Sequence, residues 1–286
     1  EQGFTVVQSA RQDGIFRGQA VVASLGQGLP GELILKAEGA HFMAFDKGSS
    51  KQSYPSSLMG SIALIRQTLS DANWYRDAYG KHDSLITQQP VEFNAALAAL
   101  TKLPQAGLVF ETTDDRAVLR VDSLLKEFNL QNAVLLGSGF EYSRVNEIKN
   151  TGRSFIMPVA YPQAPAVASI DDQLDVNLAQ LRHWERAPAN LATMAKAGIP
   201  FALTTHALEK KDQFWPNLRK AVAHGLTTDE ALAALTTVPA AMLGLPQQLG
   251  KVAPGYQADL VIAKGDLFKD GEIVATWIRG QEHQFK

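Results

Sequence analysis

The absence of cysteine and the presence of six histidines limit the metal chemistry open to this chain of 286 residues. Without thiolates, disulfide bonds and cysteine nucleophiles are excluded, and a metal ion could be held only by histidine and carboxylate side chains. The histidines are His41, His82, His183, His206, His224 and His283. None belongs to an H-x-H, H-x-x-x-H or H-E-x-x-H pattern, so no chelate forms on one strand or one helix face. Any site must combine residues that are distant in sequence.

Two candidate residues stand at the ends of predicted strands. His206 follows the apolar run 201–205, and Glu111 closes the apolar run 107–110. β/α barrels carry their reactive groups at the carboxyl ends of their strands. We therefore predict that His206 and Glu111 are the catalytic residues, acting as metal ligands or proton-transfer groups. His41, which we place just after another predicted strand, is a third candidate.

The acidic residues behind Glu111 have two interpretations. Asp114 and Asp115 could join it in a site, or they could cap the helix predicted to begin at Ala117 and complement its dipole. The sequence leaves both interpretations open. The four histidines other than His206 and His41 end no predicted strand, so we interpret them as surface or structural residues.

The elements that would position these residues are typical of parallel β/α architecture. Apolar strands alternate with amphipathic helices at intervals of about 25 residues, as expected for parallel strands buried on both faces. The predicted strands are 107–111, 133–136, 154–158 and 201–205, and the predicted helices are 57–75, 91–103, 117–128, 141–149, 176–196, 214–226 and 228–243. The chain therefore has enough β/α units for most of a barrel.

The two ends of the chain differ from this repeating part. Near the N-terminus, strands are predicted at 4–8 and 20–25, with a loop at 11–17 between them. Near the C-terminus, the glycine-punctuated strands 259–263 and 272–278 indicate antiparallel β structure.

Two glycine-rich segments lack the surroundings that their motifs require. Residues 26–31 satisfy G-x-G-x-x-G, but Pro30 leads into another predicted strand rather than the helix that a dinucleotide site requires. Ser138 lies between two glycines, yet a nucleophile elbow would need a glycine at Leu136. We instead expect Gly137 and Gly139 to give backbone N–H groups room at the barrel mouth.

Composition and charge exclude several classes of partner. The net charge of −2 lacks the basic excess that nucleic acid attracts. No apolar run reaches the length of about 20 residues that a membrane span needs, and the first residues lack a signal-peptide pattern. A cysteine-free chain is compatible with the bacterial periplasm and with the cytoplasm alike.

Two C-terminal segments resemble the amidohydrolase superfamily, in particular its imidazolonepropionase-like branch. They are residues 230–245 (EALAALTTVPAAMLGL) and 249–261 (LGKVAPGYQADLV). The resemblance implies an α/β fold, a (β/α)8 TIM-type barrel over 1–246 that is incomplete or distorted at its N-terminal strand. It also implies that 247–286 is a β segment of a small sandwich. Gly3 to Val7 is similar to the family's second barrel strand, and 201–206 to its eighth.

The resemblance also implies a reaction, the hydrolysis of non-peptide C–N bonds in cyclic amides or dipeptide-like compounds. Family members use one or two divalent metals, such as zinc, to activate water. Here the first-strand H-x-H is absent, and the eighth strand ends in Thr205-His206 where the family has Thr-Asp. The fifth and sixth strands, which normally end in metal-binding histidines, end in Glu111-Thr112 and Gly137-Ser138.

Two hypotheses follow from these departures. In the first, the chain is part of a longer amidohydrolase that carries H-x-H upstream of Glu1. In the second, it is a degenerate barrel that serves as a ligand-binding or interaction domain of a larger protein. The expected partners are a small-molecule substrate or ligand and either the rest of a longer chain or further copies of this one.

Overall fold

The computed structural model describes residues 2–80 and 91–284. The strands are β1 (Val6–Ser9), β2 (Phe16–Gln19), β3 (Val21–Ser24), β4 (Ile34–Lys36), β5 (His41–Ala44), β6 (Leu108–Glu111), β7 (Ala133–Leu136), β8 (Ser154–Pro158), β9 (Phe201–Thr204), β10 (Leu260–Lys264), β11 (Glu272–Ile278) and β12 (Gln281–Gln284). The helices are α1 (Pro30–Leu33), α2 (Leu58–Gly80), α3 (Ala95–Leu100), α4 (Leu103–Ala106), α5 (Asp115–Glu127), α6 (Val145–Lys149), α7 (Ile170–Asp175), α8 (Leu178–Arg186), α9 (Asn190–Lys196), α10 (Phe214–Ala223), α11 (Thr228–Leu235) and α12 (Thr237–Met242).

A six-stranded sheet in the order β2-β5-β6-β7-β8-β9 forms the centre of the molecule. Strands β5 to β9 are parallel, and β2 runs antiparallel to β5 at one edge. The predicted α/β class with a parallel sheet and a small C-terminal antiparallel sheet is confirmed. Within the described residues, the sheet has six strands rather than the eight of a complete barrel.

The core lies on both faces of this sheet, as the apolar strands require. Phe110, Leu135, Phe155 and Met157 have no exposed surface. Helix α5 turns its apolar face to the same core, and Val118 is among its fully buried side chains. Burial on both faces explains why these strands are apolar throughout rather than alternating. The parallel arrangement places every strand's carboxyl end at one edge of the sheet, called here the carboxyl edge.

The two ends of the chain form small antiparallel sheets, in the orders β1-β3-β4 and β10-β11-β12. The turn between β11 and β12 contacts α1, where the Arg279 guanidinium donates to the Glu32 carbonyl over 2.8 Å. The expectation that residues 3–7 form a barrel strand is wrong, because β1 pairs antiparallel with β3. Between β1 and β3 the chain passes through β2, which belongs to the central sheet.

Several local predictions differ from the structure. The second half of the predicted loop 11–17 enters β2, and the G-x-G-x-x-G segment leads into the short helix α1, followed by β4. The predicted helix 176–196 is divided into α8 and α9 by a 3-10 turn at Ala187–Ala189, as Pro188 suggests. His82 lies outside the described residues. Among the described helices, none is both long and apolar enough to cross a membrane.

Candidate functional site

The carboxyl edge brings Glu111, His206 and Arg17 together. Glu111 is the last residue of β6, and its Oε2 accepts a hydrogen bond from the Arg17 guanidinium. Its other oxygen, Oε1, lies 3.8 Å from Nε2 of His206. The side chains of Glu111 and His206 are 23% and 30% exposed. The two residues predicted from their strand-end positions are therefore neighbours with access to solvent.

Arg17 was not predicted as a site residue, and its guanidinium supplies the permanent positive charge of the group. Its side chain is only 4% exposed. Besides Glu111, it donates to the carbonyl oxygens of Gly14 and Asp46 at 3.2 and 3.4 Å. The antiparallel pairing of β2 with β5 carries Arg17 to the carboxyl edge. A possible sequence signal was its place directly after Ile15 and Phe16, since a charged residue beside apolar ones in a short strand is buried only when it is paired.

His206 lies two residues beyond β9, where the backbone turns away from the sheet. Its N–H donates to the Thr204 hydroxyl over 3.1 Å. The next residue, Ala207, has a φ of 62°, which is unusual for a residue with a Cβ. Backbone strain of this kind persists only where the surrounding structure holds it. The imidazole is thus presented to Glu111 by a constrained turn.

The acidic residues behind Glu111 have structural partners. Asp114 is the N-cap of α5, and its carboxylate accepts from the Ala117 N–H over 2.6 Å. Asp115 accepts from the Ser143 hydroxyl over 2.6 Å and pairs with Arg144 at 3.1 Å. The capping interpretation is therefore confirmed for Asp114. Asp115 ties the start of α5 to the segment after β7.

The backbone N–H groups at the end of β7 are used internally. The fully buried carboxylate of Glu141 accepts from the N–H groups of Ser138 and Gly139 at 2.7 and 3.0 Å. It also accepts from the Asn190 side chain at 2.8 Å. A Cβ at Gly137 would collide with the Met157 sulfur and with Glu141, so glycine is required there. The N–H groups expected to be accessible after β7 are therefore present, but the Glu141 carboxylate occupies them.

Tyr161 lies three residues beyond the carboxyl end of β8. The Tyr161 hydroxyl is buried and has no hydrogen-bond partner among the described residues. Burial raises the pKa of Tyr161 well above its usual value of 10.0. The ammonium group of Lys220 lies 5.6 Å from the centre of its ring, within range of a cation–π interaction.

Within the described part of the chain, the other histidines do not join this group. His41 is the first residue of β5 and pairs in register with Leu108, so it lies at the amino edge, opposite Glu111. His41 does follow the short strand β4, but it begins β5, so it does not lie at the carboxyl end of a strand of the central sheet. Burial lowers the pKa of His41, and its Nε2 has no hydrogen-bond partner among the described residues. His183 packs on Phe140 in a stacked arrangement with ring centres 3.7 Å apart, as expected of a structural histidine.

The donor set at the carboxyl edge does not fit a zinc centre. Zinc sites in proteins use three or four histidine, cysteine or carboxylate ligands. Within residues 2–80 and 91–284, no three such side chains come together. Glu111 and His206 supply two donors, and the guanidinium of Arg17 already occupies one Glu111 oxygen. A cation held against the carboxylate competes with a metal ion for the same charge.

Comparisons with known proteins agree with the fold. Residues 185–282 match the amidohydrolase family model. A 62-residue segment is 42% identical to the amidohydrolase tasK of Hapsidospora irregularis, and that segment makes up 21% of this chain and 6% of the relative.

Among solved structures, an amidohydrolase from Thermotoga maritima MSB8 superimposes with a TM-score of 0.78 at 20% identity, covering 98% of this chain and 72% of that one. A prolidase in complex with N-methylphosphonate-L-proline superimposes with a TM-score of 0.51 at 15% identity, covering 87% of this chain and 68% of that one. The chain therefore has the fold of the solved amidohydrolases and, over residues 185–282, the sequence pattern of the amidohydrolase family.

Proposed function

We propose that this chain is an amidohydrolase-fold domain that binds a small amide-type molecule at the carboxyl edge, through Glu111 and His206. The observation that carries the proposal is that the two oxygens of the Glu111 carboxylate have different neighbours. One oxygen is fixed by the buried Arg17, and the other faces the partly exposed His206 at 3.8 Å. This distance is too long for a direct hydrogen bond, so both groups keep bonding capacity for a ligand.

The chemistry of these groups defines the ligand class. A carboxylate oxygen accepts a hydrogen bond, and an imidazole nitrogen can donate or accept one. An amide presents both an N–H donor and a carbonyl acceptor, so it can satisfy Glu111 and His206 together. The prolidase neighbour was solved with a proline derivative, which makes L-prolylglycine, a proline-containing dipeptide whose amide keeps its N–H, a reasonable probe.

The alternative is the hydrolytic function implied by the family pattern of residues 185–282. In that function, zinc-activated water would cleave non-peptide C–N bonds, as in the imidazolonepropionase-like branch. Glu111 and His206 provide two possible ligands, and the rest would have to come from residues outside the described part or from a longer chain. The match to only 6% of tasK is compatible with such a larger protein.

Calorimetric titration tests the proposed binding, with the dipeptides L-prolylglycine and glycylglycine as probes, because the amide of each has both an N–H and a carbonyl group. We expect His206→Ala to weaken the binding of at least one probe about tenfold or more, which corresponds to the loss of one buried hydrogen bond. Glu111→Gln should weaken it similarly, with circular dichroism to establish folding. His224→Ala is the matched control, because His224 is exposed at the end of α10.

Two results would overturn the binding proposal: no binding of either probe, or equal binding by the wild type and His206→Ala. Metal analysis of protein purified without chelators distinguishes the alternative. We expect far less than one equivalent of metal. A full equivalent that is lost in His206→Ala but kept in His224→Ala would establish the metal-dependent function instead.

A further inference from the structure

Helices α7 and α8 carry an exposed apolar surface. We call residues 167–186, which contain both helices, the α7–α8 arm. Its exposed large apolar side chains are Val167, Ile170, Leu174, Leu178, Leu181 and Trp184, which are 40–80% exposed. Ile170 and Leu174 are four residues apart on α7, and Leu178, Leu181 and Trp184 recur every three residues on α8, so they form neighbouring positions within each helix. Contiguous apolar surface of this kind marks an interaction site in soluble proteins.

The arm contributes almost nothing to the core of the chain. Neither α7 nor α8 contains a buried residue. The attachment of α8 relies on His183, whose ring stacks on Phe140 and whose Nδ1 lies 3.2 Å from the Tyr142 hydroxyl. Between the arm and the body is an open cavity of about 420 Å³, lined on the body side by Pro162 and Pro165. The apolar residues of the arm therefore face away from the core that would otherwise cover them.

Charge is distributed unevenly along the arm. Helix α7 carries Asp171, Asp172 and Asp175 and no basic residue, whereas α8 carries Arg182 and Arg186 with one acidic residue. Asp172 serves the capping box of α7. Asp171 and Arg182 are exposed, and neither forms an ion pair with any residue of the described part of the chain. One end of the apolar surface is therefore acidic and the other is basic.

We propose that a second copy of this chain covers the α7–α8 arm in a symmetric dimer. A two-fold axis near the break between the helices, at Val176 and Asn177, lays two arms antiparallel. The acidic α7 of one copy then faces the basic α8 of its partner, and the apolar residues meet between them. A two-fold interface must be complementary to itself, and the acidic and basic halves of the arm meet that requirement.

This arrangement makes a specific pairing prediction. Asp171 and Arg182 are equally distant in sequence from the proposed axis, so Asp171 of one copy lies opposite Arg182 of the other. Leu174 and Leu178 lie nearest the axis and contribute the apolar centre. Interface energy is usually concentrated in such central apolar residues, with charges at the rim setting orientation.

Sedimentation velocity of the full 286-residue chain, from about 1 to about 100 µM, tests the proposal. We expect a reversible monomer–dimer equilibrium. Leu174→Glu and Leu178→Glu should each raise the dissociation constant about tenfold or more. Val252→Glu is the matched control, because Val252 is 86% exposed and lies outside the arm. Its association should equal that of the wild type.

A charge exchange tests the antiparallel orientation. Asp171→Arg alone and Arg182→Asp alone should each weaken association, because each places like charges opposite one another. The double variant should restore it. A wild type that is monomeric at every concentration would overturn the proposal, as would arm variants that fold normally and associate as well as Val252→Glu. Failure of the charge exchange to restore association would overturn the two-fold pairing.

Discussion

Two arginine–carboxylate pairs at opposite edges of the central sheet have different surroundings. Arg153, just before β8, contacts Asp122 of α5 at 3.1 Å, and their side chains are 4% and 8% exposed. Arg17 is equally buried, but its partner Glu111 is 23% exposed. Both arginines also donate to backbone carbonyls. The pairs are chemically similar and differ in whether the carboxylate is open to solvent.

The difference agrees with a structural role for Asp122 and with the binding role that we propose for Glu111. Both oxygens of Asp122 are engaged, one by Arg153 and the other by Lys126 at 2.7 Å. In Glu111, one oxygen is bound by Arg17, and the other lies 3.8 Å from Nε2 of His206 without a direct hydrogen bond to it. A buried, fully paired carboxylate stabilises the fold only as long as its partners remain. A partly exposed one can exchange a partner for a ligand or for water.

Removal of Arg153 should have the largest effect on stability. Arg153→Met leaves Asp122 with Lys126 alone, leaves the Leu130 carbonyl without its side-chain donor, and leaves the Gln131 carbonyl with the Ala133 N–H only. We expect a loss of about 3 kcal/mol in the free energy of unfolding, measured by urea denaturation. Arg66→Met, which removes an exposed pair with Glu127, is the control and should cost less than about 1 kcal/mol. Equal losses would contradict the structural role of Arg153.

Removal of Arg17 should cost less, because water can reach Glu111. Arg17→Met is expected to lower the free energy of unfolding by about 2 kcal/mol, the scale of hydrogen bonds to a charged group. The same urea experiment measures it beside Arg153→Met. A loss from Arg17→Met as large as that from Arg153→Met would remove the distinction between the two edges.

Acidification should destabilise the chain through His41 at the amino edge. Burial lowers the pKa of His41 below 6.5, and the nearby Glu38 carboxylate offsets part of this shift. Below pH 6.5 the unfolded chain therefore takes up a proton that the folded chain resists, so stability falls as the pH decreases. We expect a loss of no more than about 1 kcal/mol between pH 7 and pH 5.5.

Urea denaturation of the wild type and His41→Phe at both pH values measures this contribution. The variant should show a smaller loss on acidification than the wild type. An identical pH dependence in the two proteins would show that other groups are responsible.

The smallest change in stability is expected from His206→Ala. His206 is 30% exposed and makes no direct hydrogen bond through its ring to Glu111. Its removal should change the free energy of unfolding by less than about 0.5 kcal/mol, as for other exposed positions. Thermal and urea denaturation should therefore give nearly wild-type curves, while titration with the dipeptide probes shows the loss of binding. A marked loss of stability would make His206 a structural residue.

The predictability of the candidate site depended on the kind of element that carries each residue. Glu111 and His206 were identified because they follow apolar runs that could only be buried strands, and parallel strands bring their carboxyl ends together. Arg17 was missed because β2 is short and was interpreted as part of a loop. His41 follows β4, which belongs to a small terminal sheet, and it begins β5 of the central sheet, so it lies at the amino edge and not with Glu111 and His206.

By itself, the sequence determined the alternation of strands and helices, because burial on both faces demands continuous apolar runs and helices show their own periodicity. It also determined the family pattern near the C-terminus. Only the tertiary structure decided three further features. An arginine binds Glu111, the buried Glu141 carboxylate accepts from the N–H groups after β7, and no other part of the described chain covers the apolar side chains of the α7–α8 arm. The Arg17–Glu111 pair and the Asn190–Glu141 hydrogen bond join residues that are 94 and 49 positions apart, and the exposure of the arm depends on which segments pack against it, so none of these leaves a local pattern in the chain. The sequence alone allowed Glu111 to be a zinc ligand. The structure shows that its carboxylate is bound by an arginine from a distant segment.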